Sequence, residues 1–107
     1  MKNLIKILAV LILLPSFAFS GEIYGVIKDN YGTRLPGVKV TLIFGNGSTY
    51  TYTDQYGSYY LYISGTGWAE LELNVPGCDP QPKIAVHFYH NAVRYNLIKA
   101  GCQVYRE

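Results

Sequence analysis

The chain has 107 residues, 50% of them hydrophobic and 15% charged, with a formal net charge of +2 at pH 7. That length suits one small domain. Two of the nine basic residues, Lys2 and Lys6, lie at the very start; the other seven are matched by seven acidic residues, a balance that leaves no basic patch for nucleic acid or anionic lipid.

Residues 1–20 read as a secretory signal: Lys2 and Lys6, then the apolar run Ile7 to Leu14, then Ala18-Phe19-Ser20 before a cut. The run is shorter than the roughly twenty apolar residues of a membrane span; a short uncleaved anchor is the other reading. No cysteine lies near the cut, which argues against a lipid anchor. Cleavage before Gly21 leaves a domain of residues 21–107, with no further stretch able to span a bilayer.

Glu22 to Lys28 is the first predicted strand, with Ile23, Gly25 and Ile27 on one face and Tyr24 and Val26 on the other. Asp29-Asn30-Tyr31-Gly32 fits a turn in which the Asp oxygen accepts from backbone two residues on. The second strand, Val38 to Phe44, puts Val38, Val40, Leu42 and Phe44 inward and Lys39 and Thr41 toward solvent. Gly45-Asn46-Gly47 signals a hairpin, and Asn46-Gly47-Ser48 is also a glycosylation sequon, although the export signal has a bacterial look. Ser48 to Thr53 is the third strand. A second turn, Asp54 to Gly57, leads into the fourth, Ser58 to Ser64, where Tyr59, Leu61 and Ile63 look inward and Tyr60 and Tyr62 outward. The fifth, Trp68 to Val75, buries Ala69, Leu71, Leu73 and Val75 and exposes Glu70 and Glu72.

Three prolines exclude a strand interior from Pro76 to Pro82. Lys83 to His90 is the sixth strand. The seventh runs from about Val93 to Tyr105, interrupted at Ala100-Gly101. Short alternating strands with no helical period predict an all-β fold: a small antiparallel Greek-key β-sandwich of about seven strands.

The stretch from Gly21 to Leu61 also carries a family pattern. Gly25-Val26-Ile27, the turn Asp29 to Gly32, Leu35-Pro36-Gly37-Val38-Lys39-Val40-Thr41-Leu42 and Thr53-Asp54-Gln55-Tyr56-Gly57-Ser58-Tyr59-Tyr60-Leu61 together resemble the carboxypeptidase regulatory-like domain, a transthyretin-like β-sandwich. Arg34 departs from the pattern, since proline is common there. The resemblance covers about half of the chain beyond the signal and implies fold far more than activity. The family's name describes a domain that accompanies a peptidase, and no zinc peptidase domain is expected here.

Cys78 and Cys102 are the two cysteines. In an exported chain they allow one intramolecular bridge, and an oxidising compartment favours it. Closing that loop is worth roughly 3 kcal/mol. Free thiols or an intermolecular bridge are the alternatives.

The candidate chemistry is thin. His87 and His90 are three apart, which sends them to opposite faces of a strand, and four ligands for zinc are not assembled; no metal or cofactor is expected. No Gly-x-Ser-x-Gly is present, and His87 has no evident Asp partner. Glu70 and Glu72 share a face, more often a solvated strand than a catalytic pair. Transthyretin-like hydroxyisourate hydrolases end in Tyr-Arg-Gly-Ser; this chain ends Tyr105-Arg106-Glu107 and lacks their early histidine. An internal isopeptide would draw on Lys28, Asn96 and Glu70, but alternation points Glu70 outward.

Tyrosine is the strongest remaining signal. Of eleven tyrosines, six lie between Tyr50 and Tyr62. Aromatic strand faces contact sugars or proteins, or merely steady a sheet by cross-strand pairing. Tyr60 and Tyr62 are therefore the candidate binding residues. Tyr50 and Tyr52 join them in one cluster on adjacent strands if they also point out. The expected function is a non-catalytic, exported module, periplasmic or extracellular, binding a protein or a glycan; the alternatives are a transthyretin-like hydrolase and a structural subunit of a surface assembly that lends an edge strand.

Overall fold

A computed structural model describes residues 20–45 and 47–107. The expected signal, apart from Ser20, and Asn46 of the expected hairpin turn and sequon lie outside the described residues. Alternation of apolar and polar side chains produces strands throughout: β1 (Ser20–Asp29), β2 (Lys39–Phe44), β3 (Gly47–Tyr52), β4 (Ser58–Ser64), β5 (Gly67–Leu73), β6 (Lys83–Phe88), β7 (Ala92–Arg94), β8 (Leu97–Ala100) and β9 (Gln103–Arg106). They form two sheets, one ordered β4-β1-β8-β9 with β7 also on β1, the other β3-β2-β5-β6. The result is the all-β sandwich that the sequence predicts.

Pairing is antiparallel except along one side of β1. β1 lies parallel to β7, with Tyr24 opposite Arg94, and then parallel to β8, with Ile27 opposite Leu97. The predicted seventh strand is thus three: broken once at Tyr95-Asn96 and turned once at Gly101-Cys102, where Ala100 pairs with Gln103.

Between the sheets, Ile23 and Ile27, Val40 and Leu42, Tyr59 and Leu61, Leu71 and Leu73, Val86 and Leu97 are essentially inaccessible to water. Each lies on the face that period-two alternation groups together along its strand. Burial of such side chains contributes about 1.5–3 kcal/mol apiece.

The two Asp-x-x-Gly turns use one design. Asp29 Oδ1 accepts from the amides of Tyr31 and Thr33, both at 2.9 Å; Asp54 Oδ1 accepts from Tyr56 at 2.8 Å and Ser58 at 2.9 Å. Gly57 has φ +76°, and a Cβ there would stand 2.9 Å from the Ile27 carbonyl oxygen, so this turn requires glycine both for its conformation and for its approach to β1.

Cys78 and Cys102 are bonded, with Cα atoms 5.6 Å apart. The bridge joins the β5–β6 loop of one sheet to the β8–β9 turn of the other.

Candidate aromatic binding face

The outer face of the first sheet carries a row of side chains across three strands. Register places Tyr60 of β4 opposite Tyr24 of β1, and Tyr24 opposite Arg94 of β7. The rings of Tyr60 and Tyr24 stack with centroids 5.6 Å apart and planes 12° from parallel. The Arg94 guanidinium lies over the Tyr24 ring at 5.4 Å, within cation–π range. Tyr62, 70% exposed, continues the tyrosine edge one row on, opposite Glu22. Beside this row is a cavity of about 310 Å³ lined by Tyr24, Gly25, Val26, Ser58, Tyr60, Arg94 and Asn96.

The cavity exists because the strand beside β1 breaks there. Tyr95 turns into the core, where its hydroxyl accepts from the His87 amide at 2.9 Å and donates to the His87 carbonyl at 3.1 Å. The Tyr95 amide donates to the Tyr24 carbonyl at 2.8 Å. The next ladder position is filled by a side chain: Asn96 Oδ1 accepts from the Val26 amide at 3.0 Å. The half-buried β1 donor is satisfied, and Asn96 is fixed beside the outer face. Gly25 permits this, since a Cβ there would lie 2.2 Å from the Tyr95 carbonyl oxygen.

Tyr50 and Tyr52 also point out, 59% and 57% exposed. They belong to β3, however, in the other sheet, and their rings meet edge to face at 5.9 Å with Lys39 over Tyr50 at 4.5 Å. The two tyrosine pairs occupy opposite outer faces of the sandwich. The single four-tyrosine cluster is therefore replaced by two separate pairs, because the turn at Asp54 to Gly57 carries the chain from one sheet to the other. Tyr24, Arg94 and Asn96 complete the first face and were not singled out from sequence as binding residues. Tyr24 is within reach of the sequence, since alternation sets it on the face opposite Ile23 and Ile27; Arg94 and Asn96 depend on the parallel pairing with β1.

The other candidates stay dispersed. His87 lies on the outer face of β6, edge-on to Trp68 at 4.8 Å and tilted against Tyr89 at 4.5 Å, while His90 follows the strand's end. Among the described residues no three metal-ligating side chains gather. Glu70 is exposed on the second sheet, Lys28 ion-pairs with Glu107 at 3.7 Å, and Asn96 holds Val26, so the residues considered for an isopeptide do not converge. Glu72 pairs with Lys83 at 3.8 Å. Arg106 of the terminal Tyr-Arg-Glu packs over the Tyr95 ring at 4.1 Å.

No protein-family model matches the chain, and no curated protein matches it. Solved structures do. The 5-hydroxyisourate hydrolase of Klebsiella pneumoniae superposes with TM-score 0.58 at 16% identity, over 81% of this chain and 93% of that one. A streptococcal ancillary pilin gives 0.57 at 16% identity, over 77% of this chain and 32% of the pilin. A minor pilin of Streptococcus agalactiae gives 0.57 at 19%, over 77% and 44%. The chain thus spans about a third of the first pilin and under half of the second. At these identities the likeness is one of fold: a transthyretin-like β-sandwich, which an enzyme and pilins share.

Proposed function

We propose that this chain is an exported, non-catalytic binding module of the carboxypeptidase regulatory-like type, which holds a protein or carbohydrate partner against the outer face of its first sheet. The observation that carries the reading is the solvent-facing row Tyr60–Tyr24–Arg94, flanked by Tyr62 and opening on a cavity. Tyrosine and arginine are the side chains that concentrate binding energy at interfaces. Export to the periplasm or the cell exterior is supported by the signal-like sequence of residues 1–20 and by a disulfide, which oxidising compartments favour. The pilin likeness accords with work at a cell surface.

The test compares the oxidised chain from Gly21 onward with a Tyr60→Ala/Tyr62→Ala variant. Both side chains are more than half exposed, so the variant keeps its fold, losing roughly 0.2–1 kcal/mol for each cross-strand pair removed. Binding loses about 2 kcal/mol or more if a central tyrosine is cut away. Capture of an identified partner from envelope extract or a glycan array should fall accordingly. Retention of every partner by the double variant would move the site elsewhere, to the loops around Trp68 or Asp79. A surface-assembly subunit would instead show concentration-dependent association of the wild type, and a hydrolase would turn over hydroxyisourate.

A further inference from the structure

We propose that the cavity beside Tyr24 and Tyr60 receives the carboxylate of an acidic saccharide. This deepens, and rests on, the binding-module reading. The argument begins with Asn96. An amide oxygen and an amide nitrogen look alike in shape, but only the oxygen can accept a hydrogen bond from an N–H. The Val26 amide donates to Asn96 Oδ1 at 3.0 Å, so chemistry fixes which end is which. The Nδ2 group is left as a donor on a residue of the cavity wall, with no acceptor among the described residues. Arg94 lies at the same wall. Its cationic guanidinium has five N–H donors and no acceptor. The ion pairs among the described residues are Lys28–Glu107 and Lys83–Glu72, so Arg94 has no carboxylate partner. Glu22, one row along β1 toward Tyr62, makes no ion pair with it. Ser58 adds a hydroxyl from β4.

The lining therefore contains donors, one positive charge with no ion-pair partner among the described residues, two aromatic rings and no carboxylate. Such a set selects an anion. A planar guanidinium fork matches a carboxylate's two oxygens, and a single positive charge balances the single negative charge of a carboxylate rather than a phosphate dianion. The Tyr24 ring is taken up by Tyr60 and Arg94, so the apolar ring face beside that charge, as a pyranose requires, is that of Tyr60. A peptide acid fits less well. Peptides commonly dock by adding a strand to an open sheet edge; the open edge beside this cavity is β4, and Arg94 and Asn96 lie on the far side of β1 from it.

The experiment uses the oxidised chain from Gly21 onward and an array of oligosaccharides bearing uronic or sialic acids, each beside its own methyl ester. The wild type should bind at least one acid about tenfold or more tightly than its ester, the usual scale of a charge-assisted pair. Asn96→Asp keeps an acceptor for the Val26 amide while replacing the donor by a negative charge; it should lose that binding at least tenfold. Arg94→Gln, a change at an exposed position, should lose it as well and keeps the idea testable if Asn96→Asp does not fold. Equal binding of acid and ester, or undiminished binding by a folded variant, would overturn the proposal. If the array retains nothing while an envelope protein is captured through Tyr60 and Tyr62, the carboxylate inference falls and the binding module stands. If neither is captured, both fall.

Discussion

Tyr59 and Tyr60 are adjacent in sequence and do opposite work. Tyr60 faces solvent, and Tyr59 is 1% exposed with its hydroxyl donating to the Tyr95 carbonyl at 2.5 Å. Burial first, and then the neighbouring Tyr95, push the Tyr59 hydroxyl well above its ordinary pKa of 10.0, against a smaller opposing pull from Arg106. The linkage has a definite sign. An acid whose folded pKa is raised binds its proton more tightly in the folded state, so its contribution is complete below about pH 10 and is lost as pH climbs above that toward the folded value. Tyr59→Phe should cost about 1–2 kcal/mol at neutral pH, through the lost bond and an unpaired carbonyl. Between pH 10 and 11 the variant's stability should fall less steeply than wild type, by up to about 1.4 kcal/mol per pH unit for the one proton involved. Urea melts at pH 8, 10 and 11 measure this; parallel curves would refute the assignment. Sequence alternation separates Tyr59 from Tyr60, since parity is local. It does not identify Tyr95 as the partner, because that contact spans 36 positions of chain.

At the scale of elements, the local alternation of β1, β2, β4 and β5 was legible because one face of each strand meets the core. The region from Val93 onward was less so. Gly101 announces its turn, but the break at Tyr95-Asn96 leaves no trace in the hydrophobic pattern: Val93, Tyr95 and Leu97 stay in phase across it, and all three face inward. Only the tertiary partner, β1, makes the break visible, and with it the cavity and Arg94. Gly25 is the residue on which that arrangement turns. Gly25→Ala would place a methyl group 2.2 Å from the Tyr95 carbonyl oxygen and 3.0 Å from Asn96 Oδ1, so the 95–96 segment must move away. The expected cost is about 1–3 kcal/mol, that of forcing extra volume into close packing. Displacement of Asn96 should also speed hydrogen exchange at the Val26 amide selectively. Wild-type stability together with wild-type protection at Val26 would show that the approach is not tight.

Across the whole molecule, the sequence reveals which way a side chain points from its strand and not which sheet the strand joins. That is why two outward tyrosine pairs were expected as one face and prove to be two. The disulfide shows the same division. Its pairing follows from a count of two cysteines, while its position, tying a loop of the second sheet to a hairpin of the first, belongs to the assembled sandwich. A domain this small buries a limited core, so a tie between its layers matters. With 24 positions between the cysteines, loop-closure entropy gives a contribution of about 3 kcal/mol. For a domain of this size that corresponds to a melting temperature lower by roughly 10–20 °C after reduction or in Cys78→Ser/Cys102→Ser. The aromatic face should survive where the reduced chain is still folded. Cys102 follows the Ala100 end of β8, and β8 pairs with the Asp29 end of β1, whereas Tyr24 and Arg94 pair nearer its start. Intact mass with and without reductant, thermal melts and partner capture at low temperature together decide the matter. An unchanged melting temperature on reduction would mean that the bridge fastens a sandwich already closed by its core, and loss of capture below the melt would mean that the staple also shapes the binding face.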